Sequence, residues 1–492
     1  MRPKDLPDIL FISVDAMRRD CMAPYGMDLM PEATRLLSGG VAFDRCVAAA
    51  PWTGASFGSM FTGLWPRQHG FQVNLHHRGS PMQISPLKPD ARLLSEMLKS
   101  AGYHTICSQG NAGCCGPEFG MSRGFDEYHL WEKLDWRPQG WDREKQALKH
   151  ALAYGGLARY ARLTLYRFGK RFEKRDLPDR SPMETAPGIV DAAAAMLRRS
   201  PGEKPVFLWV NFMDMHEPFF LSRRWERLLS RPHPETRRVH LSPKFCFDER
   251  LDEQDKAYMK DRYRLIARTV DRGIRRLLAT WGACRRKRSR LTIFVSDHGE
   301  EFWDHGTDIA SDCEYRRGIG HGHTLFGELV NIPWVIHWPE GGIRGARIGR
   351  LVSGVDVVPT VVDLLGLDEN TSRLAGVSQA RSVSSGEGGE EGGRVVFSDS
   401  IYYGPLRQAA ISGTHKLVRC AETGEEQLFA WGLNDSREVN DLARSGEHSG
   451  IRRDLSAALD GWNAQLTGAS PQSLGEEEQK AVAERLKAWG YL

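Results

Sequence analysis

Short apolar runs that end in polar, chemically capable residues constrain this chain more than any other feature. Ile9–Val14 runs into Asp15, Val206–Asn211 leads to Asp214-Met215-His216, and Leu291–Val295 leads to Ser296-Asp297-His298. His104–Cys107 and Trp334–Ile336 are further runs of this kind. Unbroken apolar runs of this length describe strands buried on both faces, the condition of a parallel sheet covered by helices. Between them, apolar positions three and four apart predict helices over Arg92–Ala101 and Ile189–Arg199. The expected fold class is therefore α/β with a large, mostly parallel sheet. Ligands in such sheets bind beyond the carboxyl ends of the strands, so the polar residues that end these runs are expected to gather there.

At 492 residues the chain suits a large α/β unit with a smaller companion. Ser382 to Gly393 is rich in Gly, Glu and Ser and, with nothing to bury, reads as a flexible linker or loop. Beyond it, Arg394–Phe397, Ala409–Ser412 and Lys416–Arg419 read as strands of a small antiparallel sheet, and Glu476–Trp489 as an amphipathic helix. The expected division is a catalytic domain over 1–370, a linker or loop over 371–394 and a small α+β unit over 395–492.

Trp141 to Arg180 interleaves Lys and Arg with Leu, Tyr and Phe. It reads first as a surface helix whose apolar stripe packs on the sheet, and second as a basic helix lying on an anionic membrane surface. Arg285-Arg-Lys-Arg-Ser-Arg290 reads as the cap of a helix C-terminus before the next strand. A formal charge of +4 gives no reason to expect a nucleic-acid partner. The first strand begins too early for a signal peptide before it, no run is long enough to span a bilayer, and the cysteines lack ligand spacing. These features predict a cytoplasmic protein with reduced thiols.

Asp297 and His298, side by side at a strand end, offer carboxylate oxygen and imidazole nitrogen, which suit a divalent metal. Asp15, after another buried strand, could complete a three-ligand shell with a position left open. Thr53 precedes a short helical segment that stops near Gly63. Its hydroxyl could cap that helix. The same place would also present backbone N–H groups and a positive dipole end to an anion.

Taken in order, several blocks resemble the sulfatases and their phosphoryl-transferring relatives in the alkaline phosphatase superfamily. They are Ser13-Val-Asp15 with Arg18 and Asp20, Thr62-Gly-Leu-Trp-Pro-Arg-Gln-His-Gly70, Asp214-Met-His216-Glu-Pro218, Ser296-Asp-His-Gly-Glu300, Gly320-His-Gly-His-Thr324 and Asp356-Val-Val-Pro-Thr360. The resemblance implies an alkaline-phosphatase-like three-layer sandwich with a small C-terminal antiparallel sheet and a helix. It also implies metal ligation by Asp15, Asp297 and His298, with Thr53 as nucleophile and fourth ligand. His216 matches a substrate-contacting histidine, and His321 or His323 matches a group on the substrate's oxygens or leaving group. His69 matches a block in which it supports the turn before Gly70.

The short motif that matures to formylglycine in many sulfatases is absent, since its aligned positions hold Thr53, Ala55, Ser56 and Phe57. An imidazole in the donor set favours Zn or Mn, with Ca or Mg as alternatives, and leaves open a second metal near His321 or His323. The implied activity is metal-dependent hydrolysis of an anionic sulfate or phosphate ester, on a glycan- or lipid-linked substrate or a free one. The alternatives are transfer of a phosphoethanolamine or phosphoglycerol group and a non-catalytic, anion-binding role. Arg407 is expected to be an ordinary surface arginine.

Overall fold

A computed structural model describes residues 6–74, 83–130, 185–217, 252–285, 288–305, 318–388, 393–431 and 437–466, with isolated positions over 219–229 and 475–480. The Trp141–Arg180 segment lies outside the described residues, as does nearly all of Glu476–Trp489.

Eight strands form the main sheet: β1 (Asp8–Val14), β2 (Val41–Val47), β3 (His104–Gln109), β4 (Glu127–Leu130), β5 (Val206–Phe212), β6 (Arg290–Ser296), β7 (Asn331–His337) and β8 (Ala346–Ser353). Their order is β8-β2-β7-β6-β1-β5-β3-β4. All neighbours are parallel except around β7, which runs against β2 and β6. The five apolar runs of the sequence are thus strands, each longer by one to four residues than its apolar stretch. β2 and β8 carry no such run, because Asp44-Arg45 and Arg347 with Arg350 interrupt them.

Side chains of β1 alternate between two cores. Ile9 and Phe11 join Phe207, Trp209 and Ile293 on one face, and Leu10, Ile12 and Val14 join Leu208, Val210 and Phe294 on the other. Among the covering helices are α1 (Pro31–Gly39), α2 (Thr53–Thr62), α3 (Leu94–Ser100), α4 (Ala186–Arg199), α5 (Glu253–Cys284) and α6 (Val357–Leu365). α2, α3 and α6 pack on the first face, and α1, α4 and α5 on the second. Each fully buried Leu or Ile contributes roughly 1.5–3 kcal/mol. The sheet is therefore rigid enough to hold side chains at its ends in fixed positions.

The start of β1 is tied down by charge. Arg285, just past the end of α5, donates to both oxygens of Asp8 at 2.8 Å, and Val206 N donates to the same carboxylate at 2.8 Å. One arginine of the basic run is thus drawn inward as a buried partner.

The stretch from Ser382 does have something to bury, contrary to the reading of its composition. Residues Ala380–Ser385 form a helix, α7, with Ser382 and Val383 buried. The backbone at Gly388 lies so close to Ile348 that a Cβ there would sit 2.4 Å from its Cγ2. The segment therefore packs on edge strand β8 and shields it. A four-stranded antiparallel sheet follows, β9 (Val396–Ser398), β10 (Arg407–Ile411), β11 (His415–Cys420) and β12 (Glu426–Ala430), backed by helix α8 (Ser449–Leu466). Among the described residues no helix is long and apolar enough to cross a membrane.

Candidate active site

Strand register brings the first two carboxylates together. Val14 pairs with Ser296 of β6 and with Phe212 of β5, so Asp15 and Asp297 leave the sheet side by side. The turn that follows has a partner for each amide. Asp15 N donates to Phe212 O at 2.8 Å, Ala16 N to Asp297 Oδ1 at 3.1 Å, Met17 N to Ser296 Oγ at 3.2 Å and Arg18 N to the Tyr263 hydroxyl at 2.9 Å. Ala16 adopts φ 55° to make this possible, a left-handed conformation that costs a non-glycine residue about 1 kcal/mol.

Thr53 is the first residue of α2, and Trp52 occupies the cap position. The capping alternative for the Thr53 hydroxyl is thereby corrected. Thr53 Oγ1 instead lies 3.4 Å from Asp15 Oδ1 and 3.2 Å from His298 Nε2. All ten residues of α2 are buried, and Ser56 Oγ donates to Asp297 O at 2.6 Å. His69 sits beneath the helix, with Nε2 3.2 Å from both Ser59 Oγ and Ala55 O and with Nδ1 accepting from Phe71 N. Burial pushes its pKa down to about 3, so it is a neutral structural support, in line with its expected role. Gly58 permits the contact, since a Cβ there would meet the His69 ring at 2.5 Å.

Burial shapes the electrostatics of the cluster. Burial, followed by repulsion from Asp297, pushes Asp15 up to about 6, against the opposing effects of His216, His298 and Asn111. Burial pushes Asp297 up to about 7 even though two backbone N–H groups bond its Oδ1. Its Oδ2 is buried and accepts no well-formed hydrogen bond among the described residues. His298 donates from Nδ1 to Gly299 O at 2.8 Å, which fixes the tautomer and leaves the Nε2 lone pair facing Thr53 and both carboxylates. Donor atoms of Asp15, Asp297 and His298 all lie within 4.8 Å of one another. Two buried carboxylates, an unanswered oxygen and a neutral imidazole form a donor set that fits a divalent cation.

Asn111 was not singled out in the sequence. Its Nδ2 donates to Asp15 Oδ2 at 2.8 Å, while its Oδ1 accepts from Cys114 N. This tether leaves Asp15 Oδ1 facing Thr53. Only the Gly-rich run Gly110–Gly116 hinted at a loop here, and nothing in it marks the amide.

Three imidazoles stand together. The His321 ring lies 4.4 Å from that of His298 and 4.7 Å from that of His216. His216 has Nδ1 2.7 Å from Glu217 O, and burial lowers its pKa. His321 has Nδ1 2.8 Å from Glu300 Oε2. His323, two residues on, instead has Nε2 2.6 Å from Glu301 Oε2. The intervening Gly322 has φ +80°, and a Cβ there would lie 2.9 Å from that of Tyr402. Its carbonyl accepts from the backbone N–H groups of Tyr402 and Tyr403.

The small C-terminal sheet therefore reaches the site through the segment between β9 and β10. Trp52 Nε1 donates to Ser400 O at 2.6 Å, and Arg67 pairs with Asp399 at 2.8 Å. Arg407 is half-buried and donates to His323 O at 3.3 Å, so it braces this loop and is not a plain surface arginine. Lys416, fully buried on β11, donates to Leu325 O at 2.6 Å and pairs with Glu438.

A family model described as Sulfatase matches residues 7–367. An arylsulfatase of Clostridium perfringens is 23% identical over 482 residues, covering 90% of this chain and 91% of that one. Among solved structures, a 2-O GAG sulfatase superposes with TM-score 0.66 at 16% identity, covering 94% of this chain and 93% of its own. The phosphonate monoester hydrolase of Agrobacterium radiobacter superposes with TM-score 0.65 at 18% identity, covering 95% and 100%. At such identities the structural likeness speaks for the fold.

Proposed function

The chain belongs to the sulfatase family, and from that premise we propose that it hydrolyses sulfate or phosphate esters with Thr53 as the nucleophile. The observation that carries this reading is the position of Thr53 Oγ1 at a helix N-terminus, within 3.4 Å of Asp15 Oδ1 and 3.2 Å of His298 Nε2. Asp15, Asp297 and His298, together with the Thr53 oxygen, would hold one divalent cation. His298 in the donor set favours Zn or Mn over Ca. Such an ion supplies positive charge to the ester's non-bridging oxygens and to the ionising hydroxyl.

The remaining steps belong to the side chains. Thr53 Oγ1 attacks sulfur or phosphorus while the N-terminal amides of α2 face the anion. The imidazole that takes up the proton lost by Thr53 on attack returns it to the departing alcohol as the bond to the leaving oxygen breaks. His321 is assigned this task ahead of His323, because its ring sits against His298 and His216 and Glu300 steadies it. His216 contacts the substrate oxygens. Water then releases the group from Thr53. Neutral imidazoles, lowered by burial at His216 and His298, suit a singly charged ester such as a sulfate monoester, phosphodiester or phosphonate monoester. A threonine that cannot become formylglycine supports phosphoryl over sulfuryl chemistry.

The test is turnover of four chromogenic esters (sulfate, phosphomonoester, phosphodiester and phosphonate monoester) with added Mn or Zn. The expected result is phosphodiester or phosphonate hydrolysis that Thr53→Ala and Asp297→Ala each reduce by about three orders of magnitude or more. Activity that survives Thr53→Ala would remove the nucleophile assignment. Silence on all four esters would favour group transfer to an acceptor alcohol or a binding role.

A further inference from the structure

Ala16 is the residue at which the geometry of the cluster is decided, and nothing in alanine favours the conformation it adopts. At φ 55° it sits in the left-handed region, directly after Asp15. That conformation turns the Ala16 N–H onto Asp297 Oδ1 at 3.1 Å, alongside the His298 N–H at 2.9 Å. With Oδ1 doubly occupied, the carboxylate is held with Oδ2 toward His298 Nε2, 3.4 Å away.

The hydroxyl of Tyr263, on α5, grips both sides of this turn. It donates to Ala16 O at 2.8 Å and accepts from Arg18 N at 2.9 Å, and the Cys21 thiol reaches the same oxygen. Burial keeps the phenol protonated, so the donor is always present. The ring is locked between Phe302 at 4.8 Å and Phe219 at 5.9 Å, so the hydroxyl has little freedom to move away.

We propose that Tyr263 is a positioning residue for the candidate metal centre: its hydroxyl holds Ala16 in the left-handed conformation that aims Asp297 Oδ2 at the cation. The proposal rests on the reading of Asp15, Asp297 and His298 as metal ligands. Without the hydroxyl, Ala16 relaxes toward an ordinary backbone conformation, its N–H leaves Asp297, and the carboxylate rotates. Glycine at position 16 would adopt the same conformation unaided.

The experiment is calorimetric titration of chelator-stripped protein with Mn²⁺ and with Zn²⁺. Tyr263→Phe keeps the packed ring and is expected to weaken metal binding roughly 10- to 100-fold. Tyr258→Phe, which removes the hydroxyl that Arg262 bonds one turn earlier on the same helix, is expected to bind as wild type does. Adding Ala16→Gly to Tyr263→Phe is expected to recover most of the loss, which a merely destabilised fold would not do.

Should Tyr263→Phe fail to fold, the double variant decides, since glycine then carries the turn alone. Equal binding by wild type and Tyr263→Phe would overturn the positioning role and leave the metal centre intact. So would a loss that Ala16→Gly does not repair. Wild-type protein that binds neither ion, or Asp297→Asn that binds as tightly as wild type, would overturn the metal centre and this proposal with it.

Discussion

Asp8 and Asp15 stand at opposite ends of β1, both fully buried, and the protein answers their charges in opposite ways. At the amino end, Arg285 meets Asp8 with two hydrogen bonds at 2.8 Å and the strand is closed off. At the carboxyl end, Asp15 meets Asn111, a neutral donor, and has a second carboxylate beside it. The difference separates structure from chemistry. A carboxylate whose counter-charge is built in contributes to holding the fold. A pair of carboxylates left without one forms a donor set that fits a divalent cation.

The comparison breaks most visibly at Asp8. Asp8→Asn keeps the shape and leaves Arg285 buried without its partner, so urea unfolding should show a loss of about 3–5 kcal/mol. A loss under about 1 kcal/mol would mean that the pair is not what closes that end. The next effect comes from the other end. Mn²⁺ or Zn²⁺ at about a hundred times its dissociation constant should stabilise the wild type by about 2.7 kcal/mol, read as a chelator-reversible rise in unfolding temperature. Absence of that rise would remove the contrast.

The smallest effect carries the opposite sign. Asp297→Asn in chelator should raise stability at pH 8 by about 1–2 kcal/mol. Its folded pKa of about 7 stands above the ordinary 3.8, so the ionised form is disfavoured by folding. The penalty is absent below pH 3.8, grows as pH rises, and is complete above about 7. Destabilisation at pH 8 would show that Asp297 is already neutralised from within.

Much of this was legible in the sequence, for reasons that differ by element. β1, β5 and β6 announce themselves because strands buried on both faces are apolar for most of their length. β2 and β8 do not, because edge or near-edge strands admit Asp44, Arg45, Arg347 and Arg350. The strand-end residues could be read because chemistry in such sheets has one address. Asn111 could not, because an amide becomes a tether only through a contact 96 residues away in sequence. Nor could the choice between His321 and His323, two residues apart in Gly-His-Gly-His. The left-handed turn at Gly322 sends one to Glu300 and the other to Glu301.

The bond from Trp52 to Ser400 joins positions 348 apart in sequence. During synthesis at about 5–20 residues per second, roughly 20 to 70 s separate the emergence of helix α2 from that of the segment that completes its surroundings. For that interval Trp52, the residue before Thr53, lacks its partner at Ser400. The order of elements along the chain thus delays completion of the surroundings of Thr53 until Ser400 has been made.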